Sequence, residues 1–360
     1  MTFRNSLWLI PMILPGAVHA DAMADAQALI ATHTEIPVFV PPGEPFDARS
    51  CMADKSVFSI PVSMTIPFAV ALEDGMARAA AEVGFEYTVW ETQGGMDSYI
   101  QGVDHAVTQG YDLIDLAGGI NPVWIGPQLL QAKESGAVIT TTHLYDETQE
   151  QADFVDASAR VPFSSVGEIL AAWAYVETEG APNVLIIGSD DVLPTGPFVE
   201  SIQDQLSTYC PECEQQYLNV PLAEWGTRIQ SGVQSALLAN PDINYILPIY
   251  DSMSQFVTPA LRIAGVEVPI ASFNGTPFVL DMVREGTVKM DIGESLGWAG
   301  YAAVDAQMRQ LCGLEVPEDL GIPLLIFDSA NVETAGIPAN FDDGYGDAHI
   351  AGYRALWMLD

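Results

Sequence analysis

From residue 57 onward two kinds of segment alternate along the chain. Short runs such as "VFSIPVSM", "YDLIDLAG" and "AVITTT" are almost continuously apolar. Longer runs such as "PFAVALEDGMARAAAEVG" and "MDSYIQGVDHAVTQG" carry apolar residues at helical spacing. The first kind predicts strands covered on both faces, the second amphipathic helices. Strands alternating with helices predict βαβ units and a parallel sheet. The predicted helices close on Gly84, Gly110 and Gly136, where a left-handed residue ends a helix cheaply. Residues 147 to 165 interrupt the rhythm with polar sequence and one short strand, which reads as a crossing between domains. The alternation then restarts and runs through "NVLIIGS", "QQYLNVPL", "NYILPI" and "VEVPIASF". Two α/β halves of like design follow.

One local pattern occurs in both halves. "LQAKESGAVITTTHLYD" ends a helix on Gly136, enters a strand and leaves it at Thr142 and His143. "ALRIAGVEVPIASFNGTPF" does the same through Gly265 and leaves at Asn274. Ligands of open parallel sheets sit beyond the C-terminal strand ends. Two such sheets facing each other give one cleft, with one wall from each half.

Length and composition agree with two domains: 360 residues, 49% of them apolar, suffice for two cores. The N-terminus differs from the rest. Arg4 precedes an apolar run from Leu7 to Val18, and Val18-His19-Ala20 fits a small-residue cleavage site. Residues 1–20 therefore read as a secretory signal peptide. Pro11, Pro15 and Gly16 argue against a buried helix there. No Cys follows the cleavage point, so no lipid anchor is expected. The remaining chain shows no stretch long and apolar enough to predict a span. A protein exported to the periplasm is expected.

Twelve Lys and Arg stand against 48 Asp and Glu, a net charge of -36. Nucleic acid is excluded as a partner, because phosphate binding needs clustered cations. The acidity fits a surface adapted to salt, where like charges are screened. The four cysteines are Cys51, Cys210, Cys213 and Cys312. Cys210 and Cys213 lie between a predicted helix and strand, which favours a local disulfide over a redox motif. Cys51 and Cys312 can pair only if the fold brings them together. No nucleophile elbow, phosphate loop or zinc-protease motif occurs. The histidines, His19, His33, His105, His143 and His349, show no metal-ligand spacing. No enzyme, cofactor or metal is expected.

At "VSMTIPFAVALEDGMARAAAEVG", "GAVITTTH", "IYDSMSQFVTPALRIAG", "IASFNGTP", "MVREGTVKMDIGESLGWAGYAAV" and "PLLIFDSANVET" the chain resembles the type I periplasmic solute-binding proteins, ribose/galactose branch. The resemblance implies two Rossmann-like lobes with parallel sheets, joined by a three-crossover hinge near 153–160, 293–297 and 316–323. It places an extension at 21–56 and a first lobe at 57–155 plus 297–318. The second lobe would hold 156–296 plus 319–335, and a tail 336–360. The extension, "SLGWAG" and the tail "GYRALWMLD" resemble a TorT-like subgroup that senses trimethylamine N-oxide and docks on a sensor kinase.

The resemblance also nominates ligand-facing residues. Phe68 takes a position that packs a ring on the ligand, which is favoured over the alternative of core packing under its loop. Thr142 and His143 stand where sugar binders often carry Asp-Arg; the lone His reads as contact or bystander. Phe163 matches an aromatic of the TorT-like subgroup. In "GSDDVLPTGP", Asp190 is a candidate acceptor or a loop charge, and Thr195 a candidate donor. Trp225 takes the aromatic position of the ribose branch. Tyr250 points at the cleft, while Asp251 reads mainly as a helix cap. Asn274 and Glu294 match polar positions that face the ligand. This set lacks Lys and Arg, so an anionic sugar acid is disfavoured. It suits a neutral sugar or polyol, or a methylated amine held by cation–π attraction. The expected partner is an ABC permease, the alternative a sensor kinase ectodomain, and the expected state a monomer.

Overall fold

The computed structural model describes residues 15–359, with side chains from residue 20 onward. Residues 1–14 of the expected signal peptide lie outside the described residues. The chain opens with α1 (Pro15–Ala31), which runs through the expected cleavage point at Ala20, and a short α2 (Ala48–Cys51). The first lobe follows as β1 (Ser56–Pro61), α3 (Pro67–Val83), β2 (Glu86–Val89), α4 (Met96–Gln109), β3 (Leu113–Ala117), α5 (Gly126–Glu134), β4 (Val138–Thr142) and β5 (Ala157–Ala159). The second lobe begins with α6 (Phe163–Glu177), β6 (Val184–Gly188), α7 (Thr195–Tyr209), β7 (Gln215–Asn219) and α8 (Trp225–Ala239). It continues with β8 (Tyr245–Pro248), α9 (Asp251–Ala264), β9 (Ala271–Phe273), α10 (Pro277–Arg284) and β10 (Met290–Glu294). The chain then returns to the first lobe with α11 (Leu296–Leu311), crosses back for β11 (Leu324–Asp328) and ends on α12 (Ala348–Leu356).

The helix ends follow from local chemistry. α3 starts on Pro67, whose missing N–H would have had no partner in the first turn anyway. It stops at Gly84, φ 96°, whose N–H bonds Ala80 O at 2.8 Å. α9 stops at Gly265 in the same left-handed conformation.

Among the described residues the first sheet has five parallel strands, ordered β2-β1-β3-β4-β5. The second lobe pairs β7-β6-β8 and β11-β10-β9, linked by a bridge between Ile246 and Ile270. All neighbours are parallel except β11, which runs antiparallel to β10. The reason is its route. β10 ends at the hinge with Glu294, and β11 starts there, with Leu324 opposite Glu294. A strand entering from the hinge side must run the other way.

Each lobe has its own core. The first passage between them lies at 160–162, later than the expected boundary after 155. Ala157–Ala159 still pair with β4, and only from Val161 does the chain join the second core. The second passage turns at Ser295, whose hydroxyl caps α11. The third precedes Leu324.

The terminal segments also tie the lobes together. α1 buries Ala26 against Ala172, Tyr175 and Tyr209 of the second lobe. His33 O then accepts from Ile326 N at 2.7 Å. Beyond it, Phe39 lies 5.8 Å from the Trp298 ring and 5.0 Å from Tyr353 on the first lobe. The tail returns the favour: Tyr345 packs on Phe327 at 5.2 Å, and Trp357 stacks on Tyr301 of α11. Cys51 is joined to Cys312, and Cys210 to Cys213.

α3 and α11 approach so closely because glycines face each other. A Cβ on Gly300 would lie 2.5 Å from Gly75 C and Met76 N, both backbone atoms. Neither can move without separating the helices. Gly300→Ala is therefore expected to destabilise the protein by about 1–3 kcal/mol through overpacking. Thermal denaturation checks this; a variant melting with the wild type would show that the helices slide apart freely.

Candidate functional site

The two repeated strand ends meet at one atom. β4 delivers His143 at φ 55°, and β9 delivers Asn274 at φ 137°. Positive φ is unfavourable for residues with a Cβ and persists only where the surroundings enforce it. Here the enforcement is shared. Asn274 Nδ2 donates to Glu294 Oε1 at 3.1 Å, and His143 Nε2 hydrogen-bonds the same oxygen. Glu294 is fully buried at the end of β10, just before the second passage. So equivalent positions of the two lobes are held by a single hinge carboxylate.

These residues border a narrow cavity of about 50 Å³ between the lobes. The first lobe contributes Val62, Ile66, Phe68, Gly118, Gly119 and His143. The second contributes Val192, Pro194, Leu222, Trp225, Tyr250, Ser252 and Asn274. Among the described residues no Lys or Arg lines it. The lobes touch at its rim, where a Cβ on Gly119 would lie 3.4 Å from Val192 Cγ1.

Its aromatic walls are fixed by hydrogen bonds behind them. Trp225 Nε1 donates to Ser189 Oγ at 3.0 Å and Val220 O at 3.1 Å. Its ring lies nearly parallel to Tyr250, 6.1 Å away. The Tyr250 hydroxyl shares a 3.1 Å hydrogen bond with Thr195, and burial pushes its pKa up. On the first lobe Phe68 and His143 stand 4.6 Å apart.

Phe68, His143, Trp225, Tyr250 and Asn274 thus share the cavity. Other candidates do not reach it. Phe163 is buried behind His143, edge-on at 5.1 Å. Thr195 acts through Tyr250. Thr142 is buried at the end of β4 with an unpartnered hydroxyl, outside the lining. Glu294 meets the cavity only through His143 and Asn274. Asp190 is exposed and bonds Tyr217 and Asn219 on the neighbouring strand, so its carboxylate serves the loop. Asp251 does not cap α9; the residue before that helix is Tyr250, without a side-chain cap bond. Instead Asp251 Oδ2 accepts from Thr276 N at 2.8 Å and Thr276 Oγ1 at 2.6 Å.

Sequence reasoning missed the apolar walls and the glycine pair. The available signal was "LAGGI" after β3, where Gly118 and Gly119 both take positive φ. Adjacent glycines at a strand's C-terminal end let backbone approach backbone. Among the described residues no group of three or more His, Cys, Asp or Glu is placed to hold a metal ion. No described helix is long and apolar enough to cross a membrane.

Two α/β lobes, joined by repeated passages, close over a cavity lined from both sides. Residues 57–315 match the family model of the periplasmic binding protein domain, and the chain belongs to that family. It is a family of binding proteins, not of enzymes. The ribose import binding protein RbsB of Salmonella typhimurium is 20% identical over 270 residues, covering 75% of this chain and 89% of that protein. A solute-binding protein from Agrobacterium vitis, solved with alpha-D-tagatopyranose, superimposes with a TM-score of 0.69 at 17% identity, covering 81% of this chain and all of that one. The Caulobacter myo-inositol binding protein, bound to myo-inositol, gives 0.67 at 18%, covering 82% and 97%.

Proposed function

We propose that this chain captures a small neutral sugar or polyol in the periplasm and delivers it to an ABC permease, acting as a monomer after its leader is removed. The cavity carries this reading. Trp225, Tyr250 and Phe68 offer ring faces to the C–H face of a polyol, while Asn274 and His143 offer donors and acceptors to its hydroxyls. The absence of Lys and Arg from the lining removes the usual partners of an anionic ligand. The names of the relatives, which speak of ribose, tagatopyranose and myo-inositol, support the same class. A second reading, sensing of a methylated amine for a sensor kinase, draws on the three rings and on Glu294 close behind them.

Calorimetric titration with pentoses, hexoses, inositols and trimethylamine N-oxide separates the two. A polyol is expected to bind and the amine oxide not; the reverse result supports the sensing role. Trp225→Ala should weaken the polyol several-fold or more by removing stacking area. Asn274→Ala leaves ligand hydroxyls unpaired, at about 1–3 kcal/mol, or roughly one to two decades in Kd. Wild-type affinity in both variants would move the site elsewhere.

A further inference from the structure

Beneath the turn that presents Asn274 lie two carboxyls that ligand contact does not explain. The turn is built from Asn274, Gly275 and Thr276, with Gly275 at φ 67°. Asp251 Oδ2 holds its end through Thr276 N and Oγ1. Asp291, on β10, holds its middle: Oδ2 accepts from Gly275 N at 3.0 Å. Both side chains are fully buried, and neither has an ion-pair partner among the described residues. In each, the other oxygen, Oδ1, is buried without a partner. The two carboxyls are within hydrogen-bonding reach of each other.

Two carboxylates in contact and out of water cannot both carry charge without a large penalty. One proton between them removes the repulsion and satisfies both orphan oxygens. Among the described residues no cation pairs with either carboxyl. Glu294 on the same strand adds a third carboxyl, linked to His143 and Asn274. From the tail, the Tyr345 hydroxyl fits against Gly275 and Gly293, itself without a partner. Burial first, then the neighbouring carboxylate, raises the Asp291 carboxyl well above its usual range; burial also raises that of Asp251.

We infer that Asp251 and Asp291 share one proton and act as positioning residues for Asn274, so that capture at the cleft weakens when this proton is lost on the alkaline side. The inference rests on the reading that Asn274 contacts the ligand. Loss of the proton places two facing charges under the turn, and the turn can relieve them only by lifting off its anchors. The sign is therefore fixed: affinity falls as pH rises, and not as it falls.

Asp291→Asn tests this, because an amide reproduces the half-protonated pair. Its oxygen accepts from Gly275 N, its nitrogen donates to Asp251 Oδ1, and it does not titrate. In nitrogen-15 labelled protein without ligand, the Gly275 amide resonance should move in one step as pH is raised from neutral across the alkaline range in which the protein stays folded in the wild type, and stay flat in Asp291→Asn. A flat wild-type resonance overturns the proposal. With whichever of myo-inositol, D-ribose and D-tagatose binds at neutral pH, wild-type affinity should fall about tenfold over that range, and that of Asp291→Asn by much less. An Asp291→Asn variant that follows the wild-type pH profile also overturns it. Asn274→Ala keeps the two claims apart. If that variant binds like the wild type, the reading of the cavity fails; if it loses affinity while Asp291→Asn changes nothing, only the shared proton fails.

Discussion

Replacing Cys51 and Cys312 by Ser should lower the stability of the folded chain by about 3–5 kcal/mol. The two cysteines are 261 residues apart in sequence and 5.9 Å apart at Cα. Cross-linking so long a loop removes many conformations from the unfolded chain, and the benefit grows with the logarithm of loop length. The bond also ties α2, in the N-terminal extension, to the end of α11, so both ends of the covalent loop sit on the first lobe's core. Without it the extension is left with the apolar contacts of Phe39, Phe46, Ala48 and Met52 on that core. The second bond serves as an internal control. Cys210 and Cys213 are separated by three positions, and the same model gives that bond less than about 2 kcal/mol. Thermal denaturation of the two double Ser variants, with intact mass to verify the bonds in the parent, decides the matter. The Cys51/Cys312 variant should melt lower by roughly 5 °C or more. Equal melting of both variants and the parent would mean that the long loop is already constrained when unfolded.

Much of this architecture is legible in the sequence because it is made of local signals. The alternation of apolar runs with amphipathic stretches is periodic, and glycines such as Gly84 and Gly265 mark helix ends by a backbone conformation other residues avoid. The repeated strand end predicted that His143 and Asn274 would occupy matching places, and the structure brings both to Glu294. What stayed hidden is what depends on distant pairing. Asp251 looked like a cap because a helix follows it, yet its partner Thr276 is 25 residues away. Asp190, following a strand, read equally as a ligand acceptor or a loop charge, and only the adjacent strand decides between them: Tyr217 and Asn219 donate to its carboxylate. The reversal of β11 depends on where the third passage enters the sheet. The apolar walls Val62 and Leu222 carry no chemical signature at all; they become walls only when two lobes face each other.

Glu73 sets the second large effect, a loss of stability on raising the pH. Its side chain is buried in the first lobe, where Oε1 accepts from Ser59 Oγ and Oε2 from Tyr87 OH, both at 2.7 Å. No cation faces it. Burial pushes its pKa up to about 8; the two hydrogen bonds oppose this only in part, and Asp115 adds to it. Unfolded, a glutamate titrates near 4.3. Between those values the folded state keeps a proton that the unfolded state has released. The contribution of this group is therefore fully present below the unfolded pKa and is lost as pH rises through about 8. A shift of this size corresponds to a few kcal/mol, at about 1.4 per pH unit. Asp115, raised by burial to about 6, acts in the same direction over a lower window. Above about pH 6.5 the surface carboxylates are already ionised, and the buried Asp251–Asp291 pair titrates alike in both proteins, so the part of the slope that Glu73→Gln removes belongs to Glu73. Glu73→Gln keeps the shape and a hydrogen-bonding end group but cannot titrate. Denaturation midpoints from about pH 6.5 to 9 should fall steadily in the wild type and much less in this variant, which should be the more stable of the two at the alkaline end. Parallel slopes would show that Glu73 is already ionised in the fold, held by Ser59 and Tyr87 despite its burial.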